Sequence, residues 1–106
     1  MTYTLDTFEM MLALTFSKNK LIANYAENYV DGSHEYVDVG GFFDAVQKGD
    51  FKQAFYEADM NNRRALMKYA YSKYGGKETI SHHFLVKQLA TTLNCETDMI
   101  ENSLDL

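Results

Sequence analysis

Apolar and polar positions along this chain recur mostly at three- and four-residue spacing, the period at which side chains share one face of an α-helix. In "TLDTFEMMLALTF", Phe8, Met11, Leu12, Thr15 and Phe16 form such a stripe and are expected to be buried. Asp6 precedes it as an N-cap, Glu9 completes a capping box, and Leu5 is placed to staple onto the helix. A second stripe runs through Leu21, Ile22, Tyr25, Ala26, Tyr29 and Val30, with Ser17 as its cap and Gly32 as its stop. One bent helix over 7–31 would satisfy nearly the same pattern.

Residues 31–41, "DGSHEYVDVGG", read as a loop, although "EYVDV" alternates like a very short strand with no evident partner. "GFFDAVQKGD" predicts a short helix from Gly41 to Lys48, ended by Gly49. Asp50 caps the next helix, in which Phe51, Ala54, Phe55 and Ala58 share a face. Asn61 or Asn62 opens a helix with Leu66, Met67, Ala70 and Tyr74 inward, and Gly75–Gly76 terminates it. Thr79 or Ser81 begins the penultimate helix, whose apolar side is Leu85, Val86, Leu89, Ala90 and Leu93. Asn94 suits the left-handed exit, and Thr97 caps a last helix with Ile100 and Leu104 facing in. The expected fold is an all-α compact bundle of five to seven short helices, one small domain over residues 1–106.

The end of the chain resembles a helix-turn-helix. Leu89, Ala90 and Leu93 match its first helix, Asn94 and Cys95 its turn, and Ile100 the first anchor of its second helix. The second anchor falls at Ser103, whereas the nearby apolar residue is Leu104. The resemblance covers about twenty residues, and any tight corner of two helices needs similar packing. Its chemistry argues against a DNA reader: Glu96, Asp98, Glu101 and Asn102 face outward, and Asp105 adds a further acid. A recognition helix sits between two phosphate strands, where such acids are repelled.

Charge is segregated along the chain behind a net −5. Residues 1–47 hold seven acids and two lysines, residues 48–87 hold eight basic and four acidic side chains, and residues 88–106 hold four acids and no base. Within the basic stretch, Arg64 and Lys68 share a helix face, bordered by Arg63, Tyr71 and Lys73. Lys48, Lys52, Lys77 and Lys87 are placed to extend that patch after folding. These residues are the candidate partner-binding site, suited to an acidic protein surface, to the acidic end of a second copy, or to nucleic acid.

No catalytic constellation emerges. Adjacent His82 and His83 point about 100° apart on a helix, unlike the i,i+4 pair that grips zinc. His34 lies in the loop, and Cys95 is read as a small buried residue between two helices rather than a nucleophile. Gly40–Gly41 and Gly75–Gly76 mark helix ends rather than phosphate loops. No cofactor, metal or small-molecule substrate is expected. The single cysteine, and the lack of a secretory pattern or of an apolar run near 18 residues, point to a soluble cytoplasmic protein without a membrane partner.

Fifteen aromatic residues, eight Tyr and seven Phe, exceed what the centre of so small a core requires, so several are expected at its margin as interface anchors. The function expected on these grounds is noncatalytic protein interaction, as an adaptor, inhibitor or accessory subunit, with a protein partner or self-association. The alternatives are a DNA-associated regulator that contacts nucleic acid through the basic 63–73 helix, and an acidic DNA mimic.

Overall fold

The computed structural model describes residues 3–33, 35–75 and 80–104. These residues form seven α-helices and no strand. They are α1 (Thr7–Leu14), α2 (Lys20–Val30), α3 (Gly41–Gln47), α4 (Phe51–Glu57), α5 (Met60–Gly75), α6 (His82–Leu93) and α7 (Thr97–Leu104). A Cα radius of gyration of 13.1 Å matches a compact chain of this length. His34, Gly76, Lys77, Thr79 and Asp105, named above as loop, stop, patch, cap and acidic residues, lie outside the described residues.

Helix ends follow local chemistry. At α1 the Asp6 carboxylate accepts the Glu9 N–H at 2.8 Å and Glu9 accepts the Asp6 N–H at 3.1 Å, a complete capping box. Asp50 caps α4 and Ser81 caps α6 more simply, each with its side-chain oxygen accepting one backbone N–H. The α3 stop is Gly49 at φ +76°, where the Asp50 N–H returns to the Ala45 carbonyl at 2.9 Å. A side chain at Gly49 would be strained by that φ and crowded by the Thr7 hydroxyl.

Three caps differ from the expectation, Thr97 being the first residue of α7 rather than its cap. Asn19, not Ser17, caps α2, its side-chain oxygen accepting the Ile22 N–H at 3.3 Å. Asp59, not Asn61 or Asn62, opens α5, its carboxylate accepting the Asn62 N–H at 2.9 Å. Ser17 and Asn62 are instead buried together: the Ser17 hydroxyl donates to the Asn62 side-chain oxygen at 2.6 Å and accepts the Asn19 N–H at 3.1 Å. The Asn19 amide reaches the second Asp59 oxygen at 3.4 Å, so four polar side chains lock the α1–α2 corner to the start of α5.

The core is a single cluster with α5 at its centre, packed against α1, α6 and α7, while α3 and α4 pair and close over α1 and α6. Leu66, Met67 and Ala70 of α5 are fully buried, as are Leu89 and Leu93 of α6 and Ile100 of α7. The α6 stripe is buried at all five expected positions. The α1 stripe is not. Its buried face is Met10, Met11, Ala13 and Leu14, whereas Phe8 is 47% and Phe16 85% exposed. Residues 10–14 are all apolar, so no polar residue marks an outer side there. The helix also ends at Leu14, so Phe16 no longer follows its periodicity. Leu21, expected inward on α2, is likewise exposed, because Ile22, Ala23 and Ala26 form the buried face.

The alternating "EYVDV" stretch has no strand partner, but Gln47 takes that role. Its side-chain amide accepts the Val37 N–H at 3.0 Å and donates to the Val37 carbonyl at 2.9 Å, as a neighbouring strand would. Tyr36 adds a hydrogen bond to Asp44, and these contacts hold the loop against α3.

Ser17→Ala or Asn62→Ala is expected to lower stability by about 1–3 kcal/mol, the cost of stranding a buried polar partner. Urea unfolding measures it, with exposed Ser72→Ala as a control expected to change stability by less than about 0.5 kcal/mol.

Candidate functional site

The five residues singled out from the basic region separate in the fold. Arg63 turns back on α4: its guanidinium donates to the carbonyls of Phe55 at 3.2 Å and Tyr56 at 3.4 Å and lies 4.7 Å from the Phe55 ring centre. Those are carbonyls at the end of α4, so the cation satisfies orphan acceptors at the negative pole of that helix. Lys73 pairs with Glu9 at 2.6 Å and lies 5.0 Å from the Tyr74 ring centre. Burial works against its charge, but the bonds to Glu9 and Tyr74 outweigh it and lift its pKa above the ordinary lysine value. Both side chains therefore belong to the internal structure.

Arg64 and Lys68 do face outward together. They line a cleft of about 410 Å³ between α5 and the α1–α2 corner. Ala13, Ala65, Phe16 and Tyr69 form its apolar surface, Asn61 closes one side, and Lys18 joins Arg64 and Lys68 as the third cation. No acidic side chain is among these described lining residues. Arg64 Nε is buried and has no hydrogen-bond partner. Leaving such a donor unsatisfied costs about 1–3 kcal/mol. Exposing a phenylalanine such as Phe16 forgoes roughly 1.5–3 kcal/mol of burial, which a partner covering it would recover.

The sequence pattern points to neither Phe16 nor Lys18 as a site residue and places Phe16 in the core. The polar run from Thr15 to Asn19 marks a corner, and a large apolar residue inside a corner is out of register with either helix. That signal places Phe16 off the stripe but does not bring it to α5. The Ser17–Asn62 hydrogen bond does so, because Phe16 and Lys18 flank one partner and Asn61 flanks the other.

Tyr71 belongs to a second cluster. Its hydroxyl is 2.8 Å from His82 Nδ1, and His82 Nε2 is 3.3 Å from Glu101. With the phenol donating to Nδ1, the proton on Nε2 faces the carboxylate, so the imidazole ties α5, α6 and α7 together. Two shallow depressions lie beside this cluster, and Lys68 borders both the first of them and the cleft. One is shared by Lys68, Tyr71, His82 and Leu104, and the next by His82, Glu101, Asn102 and Leu104.

The C-terminal pair is helix-turn-helix-like. Asn94 adopts φ 54°, ψ 50°, and the Cys95 N–H returns to the Ala90 carbonyl at 3.0 Å. The pattern's second anchor, Ser103, is completely buried, with its hydroxyl donating to the Met99 carbonyl at 2.7 Å. Leu104, expected inward, is only half-buried and reaches the surface depressions. Glu96, Asp98, Glu101 and Asn102 are all exposed. Cys95 is half-buried, and burial first, with Glu96 adding and Arg63 opposing, pushes its thiol pKa up. Among the described residues, no group of three or more His, Cys, Asp or Glu side chains is placed to hold a metal ion, and no helix is long and apolar enough to cross a membrane.

Comparison with known proteins finds no matching family model, no matching curated protein and no matching solved structure.

Arg63→Ala is expected to destabilise the fold by about 1.5–3 kcal/mol through lost charge-assisted hydrogen bonds, while Lys68→Ala changes stability by less than about 0.5 kcal/mol. Denaturant titration of both variants checks the division. The raised Cys95 pKa keeps the thiol neutral at neutral pH, so iodoacetamide should alkylate it more slowly in the native than in the denatured chain. The stability linked to this thiol is fully present below its unfolded pKa. It is lost as pH rises through the folded value.

Proposed function

We propose that this chain is a noncatalytic protein-interaction module, an adaptor, inhibitor or accessory subunit, that docks a partner at the cleft between α5 and the α1–α2 corner. The observation that carries this reading is Phe16, 85% exposed at the edge of an apolar cleft whose charged side chains are all cationic. An aromatic anchor next to apolar walls, with cations at the margin, is the usual composition of a protein interface centre and rim. The three cations Lys18, Arg64 and Lys68 in its lining support an acidic partner.

The alternative of nucleic-acid contact through residues 63–73 draws less support. Arg63 and Lys73 are engaged internally, which removes two of the four cations that reading relied on. Phosphate binding depends on the number of free cations, since each neutralised phosphate adds to affinity. Glu101 of α7 lines a depression adjoining the one bordered by Lys68 and would oppose a polyanion lying there.

The test compares proteins retained from a source extract by the wild-type chain, by Phe16→Asp and by Phe84→Asp, a control at another exposed phenylalanine outside the cleft. A partner held by the wild type and the control should bind Phe16→Asp at least roughly tenfold more weakly, a loss of about 1.4 kcal/mol. Equal retention by all three chains overturns the cleft as the docking site.

A further inference from the structure

We infer that the cleft's occupant is the acidic α7 of a second copy, in a closed two-fold dimer. This rests on reading the cleft as a protein-docking surface and names its partner.

Three observations lead to it. First, the cleft and the two depressions are neighbours. Lys68 lines both the cleft and the adjoining depression, and His82 and Leu104 line that depression and the one beyond it. Second, charge is divided along this track. Lys18, Arg64 and Lys68 occupy one end, Tyr71 and Leu104 the middle, and Glu101 the other end. Asp98, three residues before Glu101, is exposed on the same side of α7. Third, the basic end leaves Phe16 uncovered, so it is the incomplete half of the track.

A surface that is cationic at one end and anionic at the other is complementary to itself under a two-fold rotation about its middle. The axis passes near Tyr71 and Leu104 and sets each basic end against the other copy's acidic end, so both contacts form at once and the assembly closes. Helical spacing suits the match. Arg64 and Lys68 are separated by four residues, about 6 Å along α5, and Asp98 and Glu101 by three, about 4.5 Å along α7. The acids of α7 then act as ligands of a basic groove, a role their helix-turn-helix-like setting does not suggest.

Charge reversal tests the inference on the full chain. The solution mass of the wild type, followed by light scattering over a rising concentration series, should move from 12.2 kDa towards twice that value and stop there. Lys18→Glu/Lys68→Glu and Asp98→Lys/Glu101→Lys alter exposed positions, the last also removing the carboxylate from His82, and should each weaken self-association by at least roughly tenfold, because like charges then face one another. An equimolar mixture of the two variants should regain a one-to-one dimer, since both contacts are again between opposite charges. That rescue separates a changed interface from a misfolded chain, and circular dichroism of each variant confirms the helices.

A wild type that stays at 12.2 kDa throughout overturns self-association, while Phe16-dependent capture of a foreign protein would still uphold the docking cleft. Growth beyond a dimer overturns the two-fold closure. A dimer that both reversals leave intact overturns the track as its interface.

Discussion

The hydrogen bond between Ser17 and Asn62 is the constraint from which the surface of this protein follows. It is buried, spans 45 positions of sequence, and joins the corner between α1 and α2 to the first turn of α5. Neither side chain has water to fall back on, so the two segments can separate only by stranding both groups. Asn19 and Asp59 reinforce it from the solvent side while capping α2 and α5. Because the corner is held there, Phe16 stands at the edge of the cleft and Lys18 joins Arg64 and Lys68 around it.

Helix α5 serves two purposes with one run of residues. Leu66, Met67 and Ala70 fill the centre of the core, and Arg64 and Lys68 on its other side form the cationic surface. Between these faces, Arg63 and Lys73 are drawn into structural work, one closing the end of α4 and the other pairing with Glu9 of α1. A charge on a central helix thus becomes a surface feature only where no neighbouring helix offers it a carboxylate or a free carbonyl.

The α6–α7 corner separates shape from chemistry. Its left-handed Asn94 and buried Leu89, Leu93 and Ile100 reproduce a helix-turn-helix arrangement, but the exposed side of α7 is acidic. Packing constrains the inner residues of such a corner and leaves the outer ones open to other uses, so the motif's shape carries no function of its own. Of these acids, Glu101 lines the depression next to the one that Lys68 of α5 borders.

The sequence by itself determined the all-α class, the entire buried face of α6 and those helix ends whose caps lie within a few residues: Asp6 with Glu9, Gly49 with Asp50, and Asn94. These are local matters, since a cap is satisfied by backbone one turn away and a clean stripe already separates inside from outside. Tertiary structure alone decided which side of α1 is buried, because its unbroken apolar run left several faces equivalent. It also decided that Gln47 would complete the loop, that Arg63 and Lys73 would leave the basic patch, and that Phe16 and Lys18 would enter the cleft. Each of these depends on a partner far along the chain, and the spacing of a sequence encodes which residues share a face but not which face meets another.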